Sequence, residues 1–200
     1  MRPVRSVRRR CSGPRTVATV SEKPSYLGLL NAISVAESDA GRYLAGWAAV
    51  TPSADVRAVI NTIALRETEH GMAFAKRIDE LGYTVIPKPD PKHAERVAIA
   101  SSTVLSDKEK FEALGLGRRP QNGERDIFDG FFENKDIDPV TGGLLGRYVA
   151  EERDSGRRFA DCYELLCADA ERAARKNGAG KGKGSAKKGS AKPKAKRGRK

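Results

Sequence analysis

A glutamate and a histidine three residues apart interrupt an otherwise apolar helical stripe, and this pair constrains the fold more than any other feature. The pair is Glu67 and His70, in the segment IALRETEHGMAF at residues 63–74. Residues three apart share one face of a helix, so both side chains are predicted to point toward the core. The stripe recurs at spacings of three or four and consists of Val56, Ile60, Ile63, Glu67, His70, Phe74, Ile78 and Leu81.

A carboxylate at a core position requires compensation, because burying an unpaired charge costs several kcal/mol. A cation, a proton or a buried hydrogen-bond network could each compensate Glu67. A metal ion is the partner that uses the carboxylate and the imidazole together. We therefore interpret Glu67 and His70 as candidate metal ligands, with a satisfied buried ion pair as the alternative.

A second carboxylate is predicted at the same depth on a neighbouring helix. Glu37 interrupts the apolar stripe of a helix predicted over residues 25–50, and a short turn around Pro52 leads into the helix predicted over residues 53–81. Such a short turn makes the two helices antiparallel neighbours. Glu37 and Glu67 each lie about fourteen residues from this turn, so they are expected at one level of the helix pair.

The final predicted helix runs from Pro139 to about Arg175 and carries a further pair of acids. Glu151 lies on its apolar stripe, and Asp154 follows three residues later, which repeats the spacing of the Glu67/His70 pair. Glu69 and Glu152 fall off the two stripes and are predicted to be solvated.

The region between the second and last helices is predicted as a crossover followed by short helical pieces. Three prolines in residues 83–91 exclude a helix there and favour an extended crossover. Residues 93–101, 106–116 and 124–133 show helical patterns separated by breaks. The fold class predicted is all-α: an up-down four-helix bundle with a long crossover between helices 2 and 3 and a broken third helix.

Charge divides the chain into a body and two basic arms. The net charge is +12, with 38 basic and 26 acidic residues. Residues 1–20 carry six arginines and no acid, and residues 175–200 carry twelve bases and no acid, so the remaining body is about six charges negative. We predict a disordered Arg-rich arm at residues 1–24, with a transit peptide as the alternative, a helical domain at 25–175, and a disordered Lys/Gly/Ala-rich tail at 176–200.

Cysteine usage and hydropathy favour a cytoplasmic protein. The three cysteines form no Cys-x-x-Cys motif and indicate no disulfide framework. No run of eighteen apolar residues is present, so no membrane span is predicted.

On these residues the chain resembles the ferritin-like superfamily, and within it the rubrerythrin-type di-iron carboxylate four-helix bundles. The resemblance implies that Glu37 is the first-half glutamate, that Glu67 and His70 are the first Glu-x-x-His pair, and that Glu151 and Asp154 are the second pair. The chain departs from the family pattern at Asp154, where the family has a histidine. Glu112 and Glu133 are the two candidates for a third-helix glutamate, neither on a clear stripe.

The resemblance implies an iron cofactor, di-iron or mononuclear, with manganese as an option, and oxidation of ferrous iron by dioxygen or peroxide. No catalytic residue distinct from the metal ligands is predicted, although Tyr43 or Tyr148 could pass an electron. An enzyme of ferroxidase or peroxidase type, a homodimer or a higher oligomer would fit this family. The alternative is a non-enzymatic DNA-binding protein that uses a metal-free helical bundle as a scaffold.

The C-terminal tail predicts sequence-independent binding to DNA or another polyanion, because its bases can neutralise phosphates without reading base edges. Its Lys-rich composition resembles the tails of bacterial nucleoid proteins, which implies a nucleoid-associated location. The alternative is a solvated tail with no dedicated partner. The predicted contact residues are Lys181, Lys183, Lys187, Lys188, Lys192, Lys194, Lys196, Arg197, Arg199 and Lys200.

Overall fold

The computed structural model describes residues 22–88, 90–119 and 126–181. The secondary structure in these ranges is helical, without a strand, which confirms the all-α prediction. The α-helices are α1 (Leu27–Val50), α2 (Ala54–Glu80), α3 (His93–Ala100), α4 (Asp107–Leu114) and α5 (Pro139–Lys181), with a 3₁₀ turn at Asp129–Phe132.

The short connection between α1 and α2 follows from its local sequence. Thr51 is extended, as expected for a residue before proline, and this ends α1. Ser53 caps α2 by accepting a hydrogen bond from the backbone N–H of Val56. Gly82, at a φ of +82°, follows the end of α2. The resulting antiparallel hairpin of α1 and α2 forms the largest helix contact of the fold.

The backbones of α1 and α2 approach each other closely at two glycines. A Cβ on Gly71 would lie 2.9 Å from the backbone nitrogen of Ser38, and a Cβ on Gly41 would lie 3.1 Å from that of Thr68. Gly41 follows Glu37 by one turn, as Gly71 follows Glu67. The missing side chains therefore let the two carboxylate-bearing faces come together.

Two apolar clusters fill the interior, one toward each end of the α1/α2 hairpin. Trp47, Ile60 and Phe111 are fully buried in the cluster near the connecting turn. Leu30, Phe74 and Leu145 are fully buried in the cluster at the opposite end. Between them, along α1, α2 and α5, lie buried polar side chains: Ser34, Glu37, Glu67, His70 and Ser155.

Short pieces follow the crossover, as the sequence predicts. Helix α3 packs against α1, and α4 packs against α3 and α5. Ser106 and Glu109 form a capping box at the start of α4. The buried carboxylate of Asp107 accepts hydrogen bonds from the Trp47 indole (2.7 Å) and the Thr51 hydroxyl (2.6 Å), which fixes α4 to the end of α1.

Helix α5 continues beyond its predicted end near Arg175 and ends at Lys181. Its N-terminal part packs on α2, while residues 169–176 are exposed. Among the helices described here, none combines the length and apolar character needed to cross a membrane.

Replacing Gly71 by alanine should separate α1 from α2. Alanine favours a helix by about 1 kcal/mol over glycine, but overpacking costs about 1–3 kcal/mol. Gly46→Ala is the matched control, because its Cβ would meet Ser101 at an ordinary 4.0 Å. In urea unfolding we expect Gly71→Ala to be about 2 kcal/mol less stable than Gly46→Ala. Equal stabilities would contradict the close approach.

Candidate metal centre

Three helices contribute four side chains to one buried site. Glu37 comes from α1, Glu67 and His70 come from α2, and Glu152 comes from α5. One ligand atom from each of the four lies within 4.8 Å of the other three. We call these four residues the carboxylate–histidine cluster. Glu37, Glu67 and His70 are between 4% and 7% exposed, so little water reaches them.

Three atoms of the cluster are buried without a hydrogen-bond partner: Glu37 Oε2, His70 Nδ1 and Glu152 Oε1. They face the same space, since His70 Nδ1 lies 3.3 Å from Glu152 Oε1 and 3.9 Å from Glu37 Oε2. Buried polar atoms are normally paired, because an unsatisfied one costs about 1–3 kcal/mol. Three unpaired atoms that face one space, each able to donate a lone pair, fit a bound cation.

Glu151 holds the histidine from its other side. Its Oε2 lies 2.7 Å from His70 Nε2, and its Oε1 accepts a hydrogen bond from Arg147 at 2.9 Å. A proton on Nε2, donated to Glu151, leaves the Nδ1 lone pair directed into the cluster. Histidines that bind metals usually donate their second ring N–H to a carboxylate in this way.

The pKa shifts within the cluster show that its negative charge is poorly compensated without a cation. Burial, and then the neighbouring Glu37 carboxylate, raise the pKa of Glu67 far above its usual range, and burial is also the main cause of the raised pKa of Glu37. Burial lowers the pKa of His70, but the carboxylates of Glu152 and Glu151 outweigh it and raise the pKa. Glu37 and Glu67 therefore hold protons more readily than exposed carboxylates do, and a bound cation would compete with those protons.

Tyr148 covers one side of the cluster. Its buried hydroxyl donates a 2.8 Å hydrogen bond to Glu37 Oε1, and its ring lies edge-on to His70 with centroids 5.0 Å apart. Burial and the charge of Glu37 raise the pKa of Tyr148, so the phenol keeps its proton. Tyr43 is half-buried and packs against the apolar cluster near the connecting turn, and burial raises its pKa to about 12.

The donor set selects among metals by its chemistry. Three carboxylates and one imidazole suit iron, manganese or zinc, whereas magnesium and calcium prefer oxygen ligands alone.

The structure brings together only some of the predicted ligands. Glu37, Glu67 and His70 meet as the spacing suggests, but Glu151 contacts the outer nitrogen of His70. Asp154 lies outside the cluster, where it binds Arg66 at 2.7 Å and Arg158 at 2.6 Å. The reason is helical phase, because Glu152 shares the buried face of α5 with Tyr148 and Ser155, whereas Glu151 and Asp154 lie together at one edge of that face.

Neither candidate third-helix glutamate belongs to the cluster. Glu112 is exposed and pairs with Lys108 and Tyr163, the latter at 2.9 Å. Glu133 lies at the surface after the 3₁₀ turn. Glu69 is exposed, which agrees with the prediction that its side chain is solvated.

The prediction that Glu152 is solvated is wrong: its side chain is 19% exposed and its Oε1 is buried within the cluster. A sequence signal for Glu152 existed. Strictly alternating spacings of three and four connect Leu145, Tyr148, Glu152, Ser155, Phe159 and Cys162. The predicted stripe runs through Leu144, Tyr148, Glu151, Ser155, Phe159, Cys162 and Leu166. It shares Tyr148 and Ser155 with the alternating stripe, and a step of three instead of four from Tyr148 selects Glu151.

The predicted nucleic-acid contacts lie almost entirely outside the described residues. Lys181 is the last residue of α5. Lys183, Lys187, Lys188, Lys192, Lys194, Lys196, Arg197, Arg199 and Lys200 follow the described ranges, as residues 1–21 precede them.

Replacing Glu152 and Glu151 separately should distinguish a ligand from the residue that orients one. We expect Glu152→Gln to lose the bound metal, because a ligand carboxylate is removed. Glu151→Gln should keep the metal with an affinity lowered about 10–100-fold, the usual effect of losing a partner of a ligating histidine. Titration of metal-free protein with Mn²⁺, followed by calorimetry, measures both. The reverse order of affinities would restore Glu151 as the ligand.

Comparison of the chain with protein-family models, with curated proteins and with solved structures finds no match.

Proposed function

We propose that this chain is a ferritin-like protein that binds one redox-active ion, iron or manganese, through Glu37, Glu67, His70 and Glu152. The observation that carries the proposal is the convergence of Glu37 Oε2, His70 Nδ1 and Glu152 Oε1, all buried and unpartnered. A glutamate on α1 and a Glu-x-x-His pair on the antiparallel α2 match the first half of a di-iron carboxylate bundle. The part played by Glu152 on α5 corresponds to one glutamate of the second half.

The surroundings of Ser155 support one ion over two. Ser155 follows Glu152 by three residues, the position at which a second Glu-x-x-His pair would carry its histidine. Its hydroxyl is a poor metal ligand and accepts a 3.3 Å hydrogen bond from Arg66. Arg66 also donates to Asp154 at 2.7 Å, which places a fixed positive charge beside the cluster. A second cation there would be repelled by the guanidinium.

The function that fits this site is oxidation of ferrous iron, or of another reductant, by dioxygen or peroxide in protection against oxidative stress. The metal ion would supply the one-electron chemistry. The residues of the chain bind and orient: three carboxylates neutralise the positive charge of the ion, and Glu151 fixes the tautomer of His70. The Tyr148 hydroxyl donates a hydrogen bond to Glu37 Oε1, with 2.8 Å between the two oxygens, and so stabilises the ionised carboxylate.

Oxygen uptake with added ferrous iron tests the oxidation. We expect the wild type to consume dioxygen at least tenfold faster than Glu67→Gln, because the variant lacks a ligand. Glu69→Gln is the matched control, since Glu69 is two residues away and exposed, and it should keep the wild-type rate. Plasma mass spectrometry of the same samples reports the metal content. About one atom per chain in the wild type and in Glu69→Gln is expected.

Equal uptake rates in all three proteins, without bound metal, would favour the alternative of a metal-free helical scaffold. That alternative also makes a prediction about stability. Replacing a buried ionic group by an apolar one is often stabilising when no partner is lost. In a scaffold, leucine at Glu67 should raise the free energy of unfolding without loss of DNA binding.

A second proposed function is nonspecific binding of DNA or another polyanion through the tail. Its support is compositional, since residues 182–200 carry nine lysines and arginines and no acid. Binding through phosphates would localise a metal-oxidising domain near the chromosome, in the cytoplasm. The C-terminal part of α5, which is exposed over residues 169–176, leads to this tail.

Truncation after Lys181 retains α5 and removes the nine bases. We expect the truncated protein to lose the gel shift of duplex DNA at low salt. The logarithm of the full-length binding constant should fall with the logarithm of salt concentration, with a slope no steeper than about −8 for nine phosphate contacts. Unchanged DNA affinity of the truncated protein would rule out the tail as the contact. Its metal content serves as the control for folding.

A further inference from the structure

A cavity of about 660 Å³ lies beside the carboxylate–histidine cluster. It is formed by α5 on one side and by parts of residues 116–119 and 126–128 on the other. Glu152 and Ser155 line it, so the cavity borders the cluster.

One wall of the cavity is apolar. Its lining includes Leu116, Ile127, Phe128, Phe159 and Ala160. Ile127 is 82% exposed, so its side chain is accessible to a bound ligand. Cavities of 300–1,000 Å³ with mainly apolar walls and a few polar groups are typical of small-molecule sites.

The remaining wall is rich in arginine. Arg118, Arg119, Arg153 and Arg157 line the cavity, against Asp126 and Glu152 as the acids. Carboxylates hold three of the guanidinium groups in place: Arg153 with Asp126 at 2.6 Å, Arg119 with Glu164 at 2.5 Å, and Arg157 with Asp154 at 3.3 Å. A guanidinium has five N–H donors, so one that binds a carboxylate can still donate to a second anion.

We infer that this cavity binds an organic carboxylate with an apolar body, with the carboxylate toward the arginines and the body against Phe128 and Phe159. An inorganic anion would leave the apolar wall exposed, and an organic cation would meet the arginines. The inference rests on the proposed function in one respect: the organic carboxylate would be the class of molecule that reaches the proposed metal ion. Binding itself requires only the cavity.

Calorimetry with three ligands of one shape tests the charge preference. The ligands are 4-phenylbutanoate, 4-phenylbutan-1-ol and 4-phenylbutylamine, each titrated into the metal-free full-length chain. We expect the carboxylate to bind at least tenfold more tightly than the alcohol, and the amine to bind most weakly. Equal affinities for the carboxylate and the alcohol, or no binding of the carboxylate, would overturn the inference.

Two glycines of α5 provide a matched pair of variants that locate the binding. Gly156 lines the cavity and Gly146 does not, and a Cβ at either position would meet no atom within 4 Å. Gly156→Phe should fill the cavity and lower the affinity for 4-phenylbutanoate at least tenfold, whereas Gly146→Phe should keep it. Equal affinities in the two variants would place binding elsewhere and overturn the inference.

The metal content of the same preparations separates this inference from the proposed function. Metal at about one atom per chain without carboxylate binding would defeat the cavity inference alone. Carboxylate binding that Gly156→Phe abolishes, in a chain that takes up no metal, would support the cavity and defeat the metal site.

Discussion

Three carboxylates and one imidazole share a buried space between two apolar clusters, and compensation of their charge is the constraint on which the interior depends. In low-dielectric surroundings the carboxylates can all be ionised only if a cation compensates their charge; without a cation, some of them stay protonated. The unpaired Glu37 Oε2, His70 Nδ1 and Glu152 Oε1 mark the place where compensation is incomplete. The apolar clusters on either side exclude the water that would otherwise solvate these groups.

The packing of the helices holds the carboxylate–histidine cluster together. Gly41 and Gly71 let α1 and α2 approach closely one turn beyond their two glutamates. Helix α5 then adds Glu152 to the cluster and Glu151 to the outer nitrogen of His70. Adjacent residues of one helix thus have different roles, one inside the cluster and one orienting the histidine. Ser155, three residues after Glu152, accepts a hydrogen bond from Arg66.

Much of the fold was predictable because its signals are local. Pro52 and Ser53 define the turn between α1 and α2, the prolines of residues 83–91 exclude a helix, and Ser106 with Glu109 caps α4. The level of Glu37 beside Glu67 followed from counting residues to the turn. In place of one continuous third helix, the described part of the chain has α3 and α4, of eight residues each, and the 3₁₀ turn at Asp129–Phe132.

The sequence by itself determined the helices, the turn, and the presence of Glu37, Glu67 and His70 on inward faces, because periodicity within one helix specifies which residues share a face. It also determined the basic composition of the tail. Only the tertiary structure decided between Glu151 and Glu152, because apolar stripes that pass through either residue keep helical spacing, and the contact with α2 selects the phase. The cavity beside Glu152 likewise depends on segments distant in sequence, and no local pattern records which of them come together.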